Sequence, residues 1–210
     1  MKNTLAARLE RSRLVIDGAL ASPTLIKQTT PFGFDRKAFQ QAKTLYNEAY
    51  GLQITKNEEL GAQRDTTLAL REAQDEAHQL YMKHVKIVRM SVAKEDELWK
   101  KLGLSGKRET TLTGWLTQVN RFYQHADLVQ DTLAQFNVLP EELQQAQEKV
   151  QAVADMRVQQ NQRKSQSQQL REQRDESLQQ LEKWVRNFVK IAQIACEDNP
   201  QQLEALGLVV

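Results

Sequence analysis

Glycine and proline are scarce in this chain, which has 8 glycines and 4 prolines among its 210 residues. The glycines are scattered singly, which excludes a P-loop and a Gly-rich dinucleotide-binding turn. The common residues are Gln, Leu, Ala, Glu, Lys and Arg. These residues lose little conformational freedom when they enter a helix. The composition therefore predicts an all-α protein.

Cysteine and long apolar runs are also nearly absent. The single Cys196 excludes an internal disulfide and suits a reducing compartment. No stretch approaches the roughly 20 apolar residues that a membrane-spanning helix needs. Charged residues interrupt the N-terminal apolar residues, so that segment does not resemble a signal peptide. We expect a cytoplasmic protein with no membrane partner.

An excess of charge of one sign is missing as well. Asp, Glu, Lys and Arg make up 27% of the chain, yet the formal net charge is only +2. A nucleic-acid or membrane partner therefore cannot be argued from net charge, and it would have to depend on a local patch.

What the chain does contain is an internal repeat with a shift of 104 residues. Four identical matches carry it: Phe32 with Phe136, 40–42 with 144–146, 85–87 with 189–191, and 102–104 with 206–208. A repeat decides the architecture before local propensity does. We therefore predict two tandem helical repeats, 1–104 and 105–210, packed together as one elongated domain.

Each repeat is predicted to contain a short helix and a very long one, because apolar residues recur at spacings of three and four. Asp35 is placed to cap the first long helix, and Pro140 to begin the second. Gly103 and Gly207 are expected to be left-handed caps in the Leu-Gly-Leu that closes each repeat. The predicted ranges are short helices at 4–21 and 112–133, a loop at 24–33, and long helices at 35–93 and 140–198. Together they predict a four-helix bundle extended by coiled-coil-like long helices.

The apolar seam of each long helix has a polar gap, at 53–67 and at 157–169, and the repeat brings the two gaps into register. One interpretation is a hairpin tip, with turns near 57–61 and 161–167. The other is a continuous helix whose middle is solvated or meets a polar partner. Residues 141–198 contain neither glycine nor proline, which favours the continuous helix.

Catalytic and metal-binding patterns are absent from the sequence. The nearest candidate pairs Asp75 with His78 on one helix face. A two-metal bundle needs a second carboxylate–histidine pair, and the other repeat has Gln179 and Glu182 at the equivalent positions. We therefore expect no enzyme activity, no metal and no cofactor, and we interpret Asp75 and His78 as a solvated face.

The remaining histidines and the tryptophans are interpreted as structural or surface residues. His84 is equivalent to Phe188 in the second repeat, which indicates a packing position. His125 follows two aromatic residues near a helix end and is expected at the surface. The tryptophans fall on apolar stripes, which is typical of core or inter-helix packing; they are Trp99, Trp115 and Trp184.

Basic residues are the candidates for an interaction site. The first group lies within 83–108 and could neutralise several phosphates, although lysines near a helix end are also favoured by the helix dipole. It comprises Lys83, Lys86, Arg89, Lys94, Lys100, Lys101, Lys107 and Arg108. The second group lies in the polar gap of the second repeat and consists of Arg157, Arg163 and Lys164. It is complementary in charge to Glu58, Glu59 and Asp65 in the first gap. We expect the two gaps to face each other or another copy of the chain.

One set of packing residues lies mostly in the C-terminal part of the chain: Arg174, Asp175, Glu176, Leu178, Trp184, Phe188, Ile191, Ala192, Ile194, Ala195, Asn199, Pro200, Leu203, Leu206 and Gly207, with Trp115, Leu116 and 139–141. Through these residues the chain resembles, over most of its length, an uncharacterised bacterial family of all-α proteins. The resemblance implies an internally duplicated helical unit that ends in Leu-Gly-hydrophobic. It implies no known activity and transfers no site residue.

The function expected from these observations is that of a structural or adaptor protein acting through helix-face contacts with other proteins. A homodimer is the expected form, because the long amphipathic helices have more apolar seam than two short helices can cover. The sequence does not identify a protein partner. The alternative is a nucleic-acid-binding protein that uses the basic patch at 83–108.

Overall fold

All regular structure in the described part of the chain is helical. The computed structural model describes residues 4–94 and 97–207. The helices are α1 Leu5–Leu20, α2 Pro23–Thr29, α3 Arg36–Ser91, α4 Glu97–Lys101, α5 Leu112–Tyr123, α6 Gln130–Ala134 and α7 Pro140–Ala195. Three 3₁₀ turns lie at Thr30–Phe32, Ala126–Val129 and Pro200–Leu206. No strand occurs within these described ranges, so the all-α prediction is confirmed.

The two long helices are continuous. Each has 56 residues, and their bounds differ by the repeat shift of 104 at both ends. The carboxylate of Asp35 accepts a hydrogen bond from the N–H of Ala38 at 2.8 Å, which caps α3 as predicted. Pro140 is the first residue of α7. The hairpin tips considered near 57–61 and 161–167 do not form.

The chain divides into two compact units. Unit 1 contains Met1–Leu60 with Ser165–Val210, and unit 2 contains Gly61–Lys164. Each unit therefore combines the first half of one sequence repeat with the second half of the other. The predicted division of the chain into repeat units at 1–104 and 105–210 stays a prediction.

Within each unit, the α3 and α7 segments run antiparallel. Side-chain contacts show this, because residue numbers fall along α7 as they rise along α3. In unit 1 the contacts join Phe39 to Phe188 and Gln53 to Arg174. In unit 2 they join Thr67 to Gln160, Glu76 to Lys149 and Lys83 to Glu142.

The core of unit 1 is centred on an aromatic cluster. Phe39 and Phe188 are fully buried, with ring centroids 4.9 Å apart and ring planes nearly perpendicular. Phe34 and Trp184 extend the cluster at centroid distances of 5.4–5.5 Å. Such pairs contribute about 0.5–1.5 kcal/mol each beyond the apolar area that they bury. This cluster holds the start of α3 against the C-terminal part of α7.

Unit 2 has its own core, formed where α5, α6 and the end of α3 meet the start of α7. Trp115, Phe122 and Tyr81 are almost completely buried there, and the rings of Tyr81 and Phe122 pack edge to face. Trp99 and Trp115 are buried and Trp184 is half-buried, as the apolar stripes predicted.

Two predicted elements were wrong. Part of the loop predicted at 24–33 is helical, because Ser22 caps α2 and Pro23 stands at its first position. Proline at that position starts a helix rather than ending one. The helix predicted at 112–133 is three elements, since α5 ends at Tyr123 and a 3₁₀ turn separates it from α6. In that turn Ala126 and Val129, three residues apart, are both buried, and this spacing suits a 3₁₀ turn.

Hydrogen bonds join the two long helices within and beside the polar gaps. In unit 2, the amide of Gln160 donates to the hydroxyl of Thr67 at 3.1 Å. In unit 1, the guanidinium of Arg174 donates to the amide oxygen of Gln53 at 2.9 Å. Gln53, Thr67 and Gln160 therefore meet polar partners on the other long helix, as expected for a continuous helix whose middle meets a polar partner.

The repeats also share two pairs of left-handed residues. Gly103 and Gly207 have φ of 63° and 68° and cap the helical turns before them, as predicted. Leu208, the last residue of the second Leu-Gly-Leu, lies outside the described residues. Gly33 and Asn137 stand at equivalent positions with φ of 85° and 58°.

Among the described residues, no helix combines the length and the apolar character that crossing a bilayer requires.

We expect Gly33→Ala to lower the free energy of unfolding by about 1–2 kcal/mol, because alanine is disfavoured in the left-handed region. No atom lies within 4 Å of a Cβ at this position, so the cost is one of backbone conformation. Gly33→Asn is the matched control, because Asn137 already adopts this conformation. Urea unfolding measures both variants, and equal losses would contradict the explanation.

Candidate functional site

Three arginines of unit 2 bind main-chain carbonyls around the end of α4. Arg121 donates to the carbonyls of Lys100 and Lys101 at 2.5 and 3.1 Å. Arg89 donates to the carbonyl of Leu104 at 2.5 Å. Carbonyls at a helix end lack partners within the helix, and these guanidinium groups satisfy them.

Arg108 binds the same segment and the core beneath it. Its guanidinium donates to the carbonyls of Gly103 and Ser105 at 3.1 and 3.0 Å, and to the hydroxyl of Tyr81 at 2.7 Å. Burial raises the pKa of Tyr81 above its ordinary value, although Arg108 opposes that shift. Arg89 and Arg108, two members of the predicted patch, therefore also hold this part of unit 2 together.

Both of these arginines retain an unused donor. The Nε atoms of Arg89 and Arg108 are buried and have no hydrogen-bond partner. A buried donor without a partner is costly, by about 1–3 kcal/mol.

The lysines of the predicted patch differ from the arginines. Lys83 pairs with Glu142 at 2.7 Å. The others are exposed and make no ion pair with any residue in the described ranges; they are Lys86, Lys94, Lys100, Lys101 and Lys107. Of the predicted basic patch, these lysines are the members with free charge.

The second group of predicted cations lies on α7. Arg157 donates to the side chain of Gln160 at 2.6 Å. Arg163 is half-buried and Lys164 is exposed. The predicted contact of this group with Glu58, Glu59 and Asp65 stays a prediction.

Two shallow grooves flank Ser105 in the connection between α4 and α5 (residues 102–111). We call the groove of about 600 Å³ the Arg89 groove; it is lined by Arg89, Lys94, Trp99, Leu104, Ser105 and Gly106. The groove of about 680 Å³ is the Glu109 groove; it is lined by Lys100, Gly103, Ser105, Glu109, Gly114, Thr117, Gln118 and Arg121. Among its described lining residues, the Arg89 groove has two cations and no acidic residue.

A buried polar network lies elsewhere in unit 2. His84 is fully buried, with Nε2 3.0 Å from a carboxylate oxygen of Glu142 and Nδ1 3.1 Å from the hydroxyl of Tyr123. The carboxylate can only accept, so Nε2 carries the proton and Nδ1 accepts from the tyrosine. Burial lowers the pKa of His84 and outweighs the attraction of Glu142. The imidazole is therefore neutral near pH 7.

Glu142 and Tyr123 are shifted by the same network. Hydrogen bonds from Lys83 and then from His84 lower the pKa of Glu142, which stays ionised. Burial raises the pKa of Tyr123, which keeps its proton. The prediction that His84 packs is consistent with its complete burial, and the network gives each ring nitrogen a partner.

Asp75 and His78 do not form a site together. His78 Nδ1 accepts a hydrogen bond from the indole N–H of Trp115 at 3.0 Å, so the histidine supports the core. Asp75 is exposed. In residues 4–94 and 97–207, no three His, Cys, Asp or Glu side chains come close enough together to hold a metal ion.

Sequence analysis missed several residues that define these features, chiefly Tyr81, Arg121, Tyr123 and Glu142. One signal was available for the network: His84 stands in an apolar seam where the other repeat has Phe188. A polar residue in such a place needs buried partners. The partners themselves come from α5 and α7, which no local pattern joins to α3.

A second candidate feature is a set of exposed apolar residues. Six of them fall at equivalent positions of the two repeats and are between 44% and 72% exposed. We call these the matched apolar positions: Phe32 with Phe136, Ile54 with Val158, and Met90 with Ile194. Unit 1 carries one member of each pair, and unit 2 carries the other.

No protein-family model matches the chain, and no curated protein or solved structure shows significant similarity to it. The resemblance to a bacterial family is therefore supported only in its coarse form, as an all-α helical protein.

We expect acid to weaken unit 2 through the buried network. The lowered pKa of His84 stabilises the fold above the ordinary value of 6.5, and this contribution is lost as pH falls toward the folded pKa. The lowered pKa of Glu142 acts in the same direction, and its contribution is lost as pH falls below 4.5. His84→Phe should therefore make stability less dependent on pH between 7 and 4, as measured by urea unfolding.

At pH 7 the same variant should be less stable by about 1–3 kcal/mol, because the buried Tyr123 hydroxyl loses its partner. Adding Tyr123→Phe removes that hydroxyl and should restore part of the loss. His125→Gln controls for the loss of one histidine. An unchanged pH dependence in His84→Phe would contradict the role given to this network.

Proposed function

We propose that this protein is a structural or adaptor protein that binds other proteins through helix faces, and that a second copy of the chain is the first partner to test. The observation that supports this proposal is the set of matched apolar positions. Single exposed apolar residues are common and need no explanation. Apolar residues that are exposed at three pairs of equivalent positions do need an explanation.

The repeats have diverged elsewhere, which gives the matched positions their weight. His84 in one repeat stands against Phe188 in the other, and Leu68 against Glu172. A solvent-facing position with no task is free to become polar, as Glu172 shows. Contact with an apolar surface of a partner explains why the matched positions remain apolar in both repeats.

Two equivalent sets also imply a way of binding. Each unit carries one set of three exposed apolar residues. Such a chain can bind a partner with two similar surfaces, and another copy of itself is one such partner.

A nucleic-acid-binding function is less well supported. Phosphate contacts on DNA or RNA are made mostly by accessible Lys and Arg side chains. In the patch at 83–108, three of the eight basic residues are already engaged, because Lys83 pairs with Glu142 and Arg89 and Arg108 bind carbonyls. We therefore place protein binding first.

Two further parts of the proposal depend on sequence alone. Membership of an uncharacterised bacterial family would agree with the duplicated helical architecture and adds no activity. A cytoplasmic location agrees with the single Cys196, which is buried.

The test uses Met90→Glu combined with Ile194→Glu, which places a charge in each unit at exposed positions. We expect wild-type protein to self-associate in size-exclusion chromatography with light scattering. The dissociation constant of the double variant should be at least tenfold higher than that of wild type. The matched control is Leu68→Glu with Leu128→Thr. This control likewise changes two exposed apolar residues. Each is replaced by the residue at the equivalent position of the other repeat, which is Glu172 for Leu68 and Thr24 for Leu128. This control should associate like wild type.

A chain that stays monomeric at about 1 mM would exclude the homodimer. The adaptor function is then tested by capture from a bacterial lysate with the same three proteins. A partner held by wild type and by the control, but not by Met90→Glu/Ile194→Glu, would agree with the proposal. Identical sets of proteins on all three would contradict it.

A further inference from the structure

We propose that the Arg89 groove, together with the N–H groups of Ser105, Gly106 and Lys107, binds a phosphate group. This inference is independent of protein binding through the matched apolar positions. It depends on how the connection between α4 and α5 distributes its donors and acceptors.

The carbonyls of this segment are already occupied. Guanidinium groups bind the carbonyls of residues 100, 101 and 103–105, as described above. The N–H groups that follow have no acceptor: Ser105, Gly106 and Lys107 make no main-chain or side-chain hydrogen bond through their nitrogens to any described residue. The segment therefore presents donors without acceptors.

The geometry of the turn suits an anion. Gly106 has φ of 75°, in the left-handed region, and a left-handed residue within a turn is a feature of main-chain concavities that bind anions. Ser105, Gly106 and Lys107 are all exposed, which leaves this part of the connection open to a ligand.

The surrounding charge also suits an anion. Arg89 and Lys94 line the groove, and the exposed Lys107 adjoins it in sequence. The side chain of Arg89 lies over the ring of Trp99, with its central carbon 6.0 Å from the ring centroid, which fixes the guanidinium in place. The Glu109 groove, on the other side of Ser105, is less suitable because Glu109 would repel an anion.

Both units have a left-handed glycine at this helix end, but three positions that are basic near it in unit 2 are not basic in unit 1. Gly207 is left-handed like Gly103, but the side chain beside it is Leu14, whereas Arg121 lies beside Gly103. The positions equivalent to Arg89, Lys94 and Lys100 are Gln193, Asp198 and Glu204. The left-handed glycine that ends each repeat therefore does not by itself require these basic neighbours.

A phosphate group fits these donors better than a carboxylate. It presents three oxygens in different directions, so it can bind main-chain N–H groups and a lysine or arginine at once. A free phosphate ester and the phosphates of a nucleic acid share this chemistry. The experiment must distinguish these two sources.

The test is a titration of the full-length protein, labelled with ¹⁵N, with inorganic phosphate, phenyl phosphate and a 12-nucleotide single-stranded DNA. We expect saturable shifts at the amides of Ser105, Gly106 and Lys107. Lys94→Gln with Lys107→Gln should raise the dissociation constant about tenfold, which is the effect expected on losing charge-assisted contacts. Both lysines are exposed, so the fold should be unaffected.

The matched control is Lys27→Gln with Lys190→Gln, which removes two exposed lysines from unit 1 and changes net charge equally. Its dissociation constant should stay within about twofold of wild type at the same salt concentration. Saturation by phenyl phosphate would identify a small phosphate ester as sufficient, whereas shifts of the same amides by DNA alone would assign the site to a nucleic-acid backbone. Unmoved amides at 105–107, or equal weakening in both variants, would overturn the proposal.

Discussion

The antiparallel contact between segments of α3 and α7 is the interaction on which the rest of the structure depends. A long helix with one apolar seam is not stable in water alone and must bury that seam. In each unit a segment of α3 meets a segment of α7, and the short helices cover part of what remains. The aromatic cluster around Phe39 and Phe188 in unit 1, and the core around Tyr81 and Trp115 in unit 2, both form where these segments meet.

Much of this fold was predictable from sequence, because it follows from the spacing of apolar residues and from the residues that begin and end helices. The apolar spacing, Asp35 and Pro140 gave the long helices, and the repeat gave the left-handed Gly103 and Gly207. The errors came where local signals have two meanings. Ser22 and Pro23 were interpreted as a helix end, although the same residues begin α2. The candidate sites were less predictable, since exposure and the partners of a charged residue depend on contacts between distant segments.

The two repeats share the features that their common fold requires and differ in features that it does not require. Where both repeats share a feature, such as the left-handed glycine after the last helical turn, the architecture explains it. Where only one repeat has a feature, as with His84 and its partners or with the cations near Gly103, the shared architecture does not explain it. Unit 2 carries both of these additions, and the buried network makes its stability depend on pH in a way that the aromatic cluster of unit 1 does not.

The composition of the two units has a consequence for the origin of the chain. Each unit takes its first half from one repeat and its second half from the other, so a single repeat contains no complete unit. A protein of one repeat could bury its long helix only by pairing with a second copy, each completing the other. Gene duplication and fusion would then have turned an obligate dimer into one chain. On this view the point of fusion lies just after the Leu-Gly-Leu at 102–104, where the first repeat ends.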